Sequence, residues 1–451
     1  MKPGSATSFL FGCTLALAGC ATGSGDGGQA TGGSHATGGT TGTGGSARGG
    51  SGGAATGGST GTGGASGGST GTGGVTATGG NTGTGGMTAT GGSTGAGGGT
   101  STGGHGVAGN SGGGAGAPGT GGAAGSSSVG PSSVCQFASG LNVAWVNFAS
   151  DIPNPNIAMF NTIFKNTHDA GGRIIRWWFH TNGTVTPGYN SDGTVKAIQQ
   201  SHIDGVKAIL NAAHTNGVAI NISLWSFDML QMNAGSTYSQ NQQLLENDTV
   251  RASYVTNYLT PLVKALKGTP GLYSYEIFNE PEGMGPGGWA TYRTTEAAIQ
   301  KCVNWFADAI HAADPDVLVT NAAVTFDYCS NVGGKNNYYS DSALRTVGGK
   351  QGGTLSFYEV HYYTANGTSN SAFMNPASHW GLTDKKLVMG EFAAADTEGV
   401  AKDSLFTHLY DNGYNGGWGW AYVGNDWPWP AEQGGLQSLY SAHASVVDAC
   451  Q

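Results

Sequence analysis

The chain has 451 residues and 84 glycines, and 49 of those glycines fall between positions 21 and 130 beside no aromatic residue; a stretch so poor in large apolar side chains cannot offset its ordering entropy, which excludes it as a domain. The remainder, 134–451, holds all 11 Trp, all 17 Tyr and 13 of the 15 Phe, enough for one large core. The net charge is −9, and setting aside Lys2, Arg48 and Asp26 leaves 16 basic and 26 acidic residues in that part, which argues against nucleic acid or anionic lipid as an electrostatic partner and suits a neutral, hydroxyl-rich ligand such as a polysaccharide.

In chain order, the first element is a basic start at Lys2 and an apolar run from Phe9 to Ala18, ending Leu17-Ala18-Gly19-Cys20. Residues 1–20 read as a signal peptide, too short to span a bilayer as a stable helix. Its end resembles a bacterial lipoprotein signal, which implies that Cys20 is acylated and becomes the mature N-terminus; an ordinary signal cleaved near Ala18 is the alternative. Ala21 stands where an aspartate would mark inner-membrane retention, so an outer-membrane or cell-surface, extracellular-facing placement is expected. Residues 21–133 repeat GGSTGTGG, TATGGNTGTGG and TATGGSTGAGG. As a Gly-rich coil this spacer would span roughly 55–65 Å. The lipid is the expected membrane link, because no later segment has 18 consecutive apolar residues.

Cys135, Cys302, Cys329 and Cys450 form an even set in an exported, oxidising setting, and such a set allows about three pairings. Cys135–Cys450, tying the domain ends, and Cys302–Cys329 are the expected pairs. A zinc site is disfavoured, since no pair has CxxC spacing and no histidine lies close by. No metal or organic cofactor is expected.

From Leu141 onward, short β-branched or aromatic runs alternate with helical stretches. The predicted strands are 141–148, 173–179, 218–224, 272–278, 317–320, 356–361, 386–390 and 417–421. Several are apolar on both faces, as parallel strands between a barrel interior and helices should be. Predicted helices cover 157–170, 201–216, 249–266, 294–313 and 403–412. In the second, Ile203, Val206, Leu210 and Ala213 share one face before Gly217. In the fourth, Ile299, Val303, Phe306 and Ile310 do so before Pro315. The alternation predicts an α/β protein, a (β/α)8 TIM barrel over 134–451. The rival doubly wound sheet would need a Gly-rich phosphate loop after an early strand, and none of the first three predicted strands is followed by GxGxxG or GxxxxGK[ST].

In such a barrel the active site sits where the strands end. Those positions hold Arg176, Trp225, Glu276, Asn279, Glu280, Glu359, His361, Tyr363, Glu391 and Trp420. Glu280 and Glu391 end strands four and seven, across the barrel mouth, where two carboxyls can face each other. Hydrolysing a glycosidic bond needs such a pair, one protonated to release the leaving oxygen and one ionised. Charge proximity separates their pKa values, and Arg176 nearby would keep one ionised. Glu276, Glu282 and Glu359 read as structural or secondary.

EIFNEPEG (276–283) and VMGEF (388–392) resemble the acid/base and nucleophile motifs of glycoside hydrolase family 5, a family of retaining (β/α)8 glycosidases, over essentially all of 134–451. The resemblance implies Glu280 as acid/base, Glu391 as nucleophile and Asn279 as the ligand of the sugar 2-hydroxyl. It implies that His361 and Tyr363 are the His-x-Tyr of strand six, that Arg176 holds the nucleophile ionised, and that Trp420 floors the −1 sugar, with Trp418 as the alternative. Many members place a histidine at the end of strand three, where this chain reads Leu224-Trp225-Ser226; Trp225 is expected instead to shape the cleft. Trp427 and Trp429 alternate with prolines and are expected as stacking platforms on the strand-eight loop. LNVAWVNFA, RWWFHTNG, LWSFDML and NPASHWGL resemble bacterial members assigned as endo-β-1,4-mannanases. The expected enzyme is therefore a monomeric endo-mannanase acting on β-mannan or glucomannan. An endoglucanase and a catalytically dead polysaccharide-binding module are the alternatives.

Overall fold

The computed structural model describes residues 135–423 and 427–450. The expected signal with Cys20 and the spacer over 21–133 lie outside the described residues. Eight parallel strands pair in sequence order and close on themselves: β1 (Ala138–Ala144), β2 (Ile174–Thr181), β3 (Ala219–Ser226), β4 (Leu272–Asn279), β5 (Leu318–Ala323), β6 (Tyr358–Tyr362), β7 (Leu387–Phe392) and β8 (Gly416–Gly419). Around them lie α1 (Ile157–Asp169), α2 (Gln200–Thr215), α3 (Tyr238–Glu246), α4 (Asp248–Tyr254), α5 (Thr260–Leu266), α6 (Glu296–Ala313), α7 (Asp341–Gly348), α8 (Leu405–Asp411) and α9 (Gln433–Asp448). This is the (β/α)8 barrel that the alternation predicts. Among the described residues no helix is long and apolar enough to cross a membrane.

The helices form where a cap meets an apolar stripe. The Asn156 side chain accepts from the Met159 N–H and opens α1, which buries Phe160, Ile163 and Phe164. Thr295 caps α6 the same way, and Ile299, Val303, Phe306 and Ile310 turn inward as their spacing requires. Each such buried side chain contributes about 1.5–3 kcal/mol. The helix expected over 249–266 is interrupted by a π turn at Val255–Leu259. Pro261 has no N–H for the Asn257 carbonyl, so the regular ladder fails there. That carbonyl instead accepts from the Ile198 N–H at 2.9 Å, which anchors the long β2–α2 connection.

The barrel interior is layered. Ala138, Ile174, Leu318, Phe357, Val388 and Trp418, near the strand starts, form an apolar floor. Trp418 Nε1 donates to the Ala138 carbonyl at 3.1 Å, which fixes this ring in the floor rather than the cleft. Above the floor the interior is polar: Asn142, Arg176, Asn221, Ser223, Glu276 and Glu359 are all completely buried. Burying a polar group is costly unless it is paired, so the groups of this layer that find partners are held in one arrangement.

Cys135 and Cys450 are joined, closing a sequence separation of 315. The second expected bridge is corrected: Cys302 and Cys329 are free and buried. Cys302 sits in α6 with Sγ turned to the Leu244 and Leu245 carbonyls and receiving Arg251 Nε at 3.1 Å. Cys329 lies in the loop beyond β5, bridged through backbone to Asn337. The two thiols belong to different packing environments, and burial pushes both away from ionisation. Replacing Cys135 and Cys450 together by serine should lower stability by roughly 2–5 kcal/mol in denaturant unfolding. Hydrolytic activity of the folded variant should be unchanged, since the bridge lies at the floor end of the barrel.

Candidate active site

Arg176 projects from β2 into the polar layer. A guanidinium carries about five N–H hydrogens, and each has an acceptor here. Nε donates to Glu276 Oε2 at 2.6 Å; Nη2 donates to Glu276 Oε1 at 2.6 Å and Asn279 Oδ1 at 2.7 Å. Nη1 donates to Asn142 Oδ1 at 2.9 Å and Glu391 Oε1 at 2.6 Å. Glu276 also accepts from Asn221 Nδ2 at 2.9 Å and Ser223 Oγ at 2.8 Å. Asn142 donates Nδ2 to the Gly390 and Trp418 carbonyls at 2.9 and 3.0 Å, so β1 ties the strand carrying Glu391 to its neighbour.

Backbone irregularities place both glutamates. The β6–β7 register shifts between Val360 and His361, a bulge that re-aims the following side chains. Gly390 and Glu391 consequently both serve the interior: Gly390 by having no side chain, Glu391 by its carboxyl. Glu280 follows β4 in the left-handed region at φ 44° and ψ 53°. That conformation costs a non-glycine residue about 1–2 kcal/mol and marks a position where geometry is held by its surroundings.

His361 and Tyr363 of the β6 end join the two carboxyls. His361 Nδ1 lies 2.9 Å from Glu280 Oε1 and 3.6 Å from Glu391 Oε2. Tyr363 donates its hydroxyl to Glu391 Oε2 at 2.9 Å. One oxygen of Glu280, one of Glu391 and a His361 ring nitrogen all lie within 4.8 Å of one another. Among the described residues this cluster has the spacing of a metal site. However, Arg176 and Tyr363 already supply donors to both Glu391 oxygens, and a cation there would face the guanidinium. The donor set favours a sugar hydroxyl or anomeric carbon over a resident ion.

The two carboxyls have opposed electrostatics. Burial pushes Glu280 well above the usual range, and the charge of Glu391 and then of Glu282 pushes it further. Burial also raises Glu391, to about 7, but the Arg176 charge and the Tyr363 and Arg176 hydrogen bonds pull it back. Glu280 is therefore the carboxyl that keeps its proton and Glu391 the one that loses it. Burial, and then the Arg176 charge, depress His361 well below its ordinary value, so the imidazole between them is neutral.

The end of β3 corrects one expectation. Trp225 is 1% exposed and packs against His180, tilted at 4.5 Å, and Tyr254, edge-on at 5.8 Å between centroids. It cannot touch a sugar. Ser223 and Ser226 both face inward, so the alternation breaks between them and turns Trp225 outward. Ser226 Oγ instead receives Asn279 Nδ2 at 3.3 Å and donates to Asp228 Oδ2 at 2.7 Å. Asn279 is thereby held between Arg176 and Ser226.

The aromatic wall combines expected and unexpected rings. Trp420 lies half-buried at the β8 end, 5.8 Å from Trp178 and 6.4 Å from Trp145. Trp145, which follows β1, went unselected in the sequence, although an aromatic directly after a strand was the available signal. Asp151 holds its loop by accepting from Trp177 Nε1 at 2.9 Å and from the Val146 and Asn147 N–H groups. Trp427 is 36% exposed and stacks on Tyr363 at 6.4 Å. Trp429 packs on Tyr422 at 5.1 Å. The wall thus offers Trp427 as its open face, next to the tyrosine that touches Glu391.

A closed parallel barrel with two facing carboxyls of opposed protonation at the ends of β4 and β7 defines a glycosidase-type (β/α)8 enzyme. The family model described as Cellulase (glycosyl hydrolase family 5) matches residues 137–425, and the chain belongs to that family. The mannan endo-1,4-beta-mannosidase of Mytilus edulis is 33% identical over 330 residues, covering 68% of this chain and 88% of that protein. That of Cryptopygus antarcticus is 32% identical over 312 residues, covering 63% and 80%. The X-ray structure of beta-mannanase from the blue mussel Mytilus edulis superposes with a TM-score of 0.63 at 32% identity, covering 68% of this chain and 92% of that one. Both relatives are animal proteins, whereas the sequence phrases pointed to bacterial members.

Removing Arg176 would strand Glu276 and Glu391 without their shared cation. Arg176→Leu should therefore destabilise the domain by roughly 3–5 kcal/mol in urea unfolding. A stability close to that of the parent would show that the guanidinium does not hold this layer together.

Proposed function

We propose that the protein is a retaining, endo-acting β-1,4-mannanase that works by double displacement, with Glu391 as nucleophile and Glu280 as general acid/base. The observation that carries this reading is the pair of carboxyl oxygens within 4.8 Å of each other in opposed electrostatic settings. Retaining enzymes hold their carboxyls about 5–5.5 Å apart, whereas inverting enzymes leave roughly 6.5–9.5 Å for a water. In the first step Glu391 attacks the anomeric carbon while Glu280 passes its proton to the leaving oxygen. In the second, Glu280 takes a proton from water, which displaces the sugar from Glu391. Asn279, held by Arg176 and Ser226, binds the 2-hydroxyl in this reading, and Trp420 floors the sugar ring.

The two relatives named as mannan endo-1,4-beta-mannosidases support mannan or glucomannan over cellulose-like chains. Trp427 supports a polymer that runs past a single sugar site. The amino-terminal sequence supports a surface-anchored placement, with Cys20 acylated and the Gly-rich spacer holding a monomeric enzyme away from the lipid.

Reducing-sugar release from galactomannan, glucomannan and carboxymethylcellulose tests the assignment. Glu391→Ala and Glu280→Ala should each abolish hydrolysis; unchanged hydrolysis in either sinks the roles given to them. Activity on carboxymethylcellulose without activity on galactomannan would replace the substrate by a glucan. Binding without hydrolysis in the parent would make the domain a binding module.

A pH profile gives an independent check. The Tyr363 hydroxyl stabilises the ionised form of Glu391, so its removal raises that carboxyl's pKa. Tyr363→Phe should shift the acidic limb of kcat/KM to higher pH by about one unit. A limb that stays in place, or moves down, would contradict the contact's role.

A further inference from the structure

Glu359 is a carboxyl of the polar layer that takes no part in the mechanism and, unlike Glu276, is without a hydrogen-bond donor. It shares the inward face of β6 with His361 and is completely buried. Its carboxyl fills the space left by Gly390: a Cβ built on that glycine would fall 2.3 Å from Glu359 Oε1. Oε1 also lies 3.2 Å from Arg176 Nε. That nitrogen's hydrogen is already committed to Glu276 Oε2, and the other four guanidinium hydrogens go to Glu276, Asn279, Asn142 and Glu391. Neither Glu359 oxygen has a donor.

The charged and titratable groups facing it are Arg176 from β2, Glu276 and Tyr273 from β4, and Glu391 from β7. One cation thus meets three carboxyls. An ionised Glu359 would be a buried anion with no hydrogen bond beside two others, among the least tolerable arrangements in a protein interior. A protonated Glu359 needs only an acceptor, and the Glu276 carboxylate is adjacent.

We propose that Glu359 is a neutral carboxylic acid that keeps its proton throughout turnover, donates it toward Glu276, and by staying neutral leaves Arg176 able to hold Glu391 ionised. It is a positioning residue, and its effect on catalysis rests on the reading of Glu391 as nucleophile. Burial, and then the Glu276 charge, push its carboxyl well above the usual range, in the same direction. The arrangement explains why glycine precedes Glu391: any side chain there would displace the acid.

Glu359→Gln tests this, because the amide has the same shape, no charge and an N–H for Glu276. Difference infrared spectra of wild type against Glu359→Gln at neutral pH should show one carboxylic-acid C=O band lost in the variant. The variant should fold and keep kcat/KM within about threefold of wild type, with its acidic limb unmoved. An ionised Glu359 gives the opposite results. No acid band disappears, and removing the negative charge lowers the Glu391 pKa, moving the acidic limb down by about one unit. Failure of Glu359→Gln to fold would equally overturn the proposal, since a neutral isostere must be accommodated. The infrared result needs no substrate: hydrolysis surviving in Glu391→Ala would remove the nucleophile reading and leave the protonation of Glu359 standing or falling by its own band.

Discussion

The guanidinium of Arg176 sits where β1, β2, β4 and β7 converge, and its hydrogens connect Asn142, Glu276, Asn279 and Glu391. Burying a cation this deeply is unfavourable on its own, and Glu276 and Glu391 more than offset that cost, holding the group firmly charged. Because a guanidinium is planar and its donors are fixed in direction, each acceptor is oriented as well as neutralised. The carboxyl of Glu391 and the amide of Asn279 thus acquire a mutual geometry before any sugar arrives. A lysine at this position could supply the charge but not the fork.

The same rigidity explains the departures from regular strand geometry. A strand that alternates strictly would offer either Gly390 or Glu391 to the interior. The register shift in the β6–β7 pairing lets the absent side chain of one make room for Glu359 while the other reaches the cleft. Glu280 achieves a similar re-aiming through its left-handed backbone, followed by Pro281 and a short turn that Glu282 fastens to the β5 loop by accepting from the Val324 N–H at 3.0 Å. Local strain and broken periodicity thus serve the two carboxyls, and they recur at other strand ends, where Ala144 and Thr181 also adopt positive φ.

These departures also decide what could be read in the sequence. The barrel was legible because strands covered on both faces leave apolar runs that differ in period from amphipathic helices. Glu280 and Glu391 were legible because charged residues ending such runs have few structural reasons to be there. Trp225 was misread because a break in alternation between Ser223 and Ser226 leaves no compositional trace. The π turn at Val255–Leu259 was foreshadowed by Pro261, but its partner, the Ile198 N–H, is distant in sequence. Helix α9, with Gly434 and Gly435 in its first turn, is unfavourable by propensity. Those glycines fit because side chains there would strike Asp403 and Phe406, a tertiary reason invisible to local pattern. The Cys302–Cys329 pairing failed because counting cysteines carries no information on which thiols the packing brings together.

Over a double displacement, the cleft's negative charge changes place rather than amount. In the proposed mechanism it resides on Glu391 before attack, with Glu280 protonated; in the glycosyl-enzyme, Glu391 would be an uncharged ester and Glu280 would have given up its proton. The charge moves between oxygens that lie within 4.8 Å of each other, while Arg176 stays fixed beside one and neutral His361 contacts the other. Once Glu391 is esterified, its charge no longer adds to burial in raising Glu280, so Glu280 ionises more readily and can accept a proton from water. The switch from acid to base needs no movement of the protein, because the charge lost at Glu391 is, after burial, the leading influence on Glu280. It does need the surrounding groups not to titrate in response. A neutral imidazole and a single guanidinium with no hydrogen to spare meet that requirement, so Arg176 and His361 hold the electrostatics of the exchange constant while the charge moves.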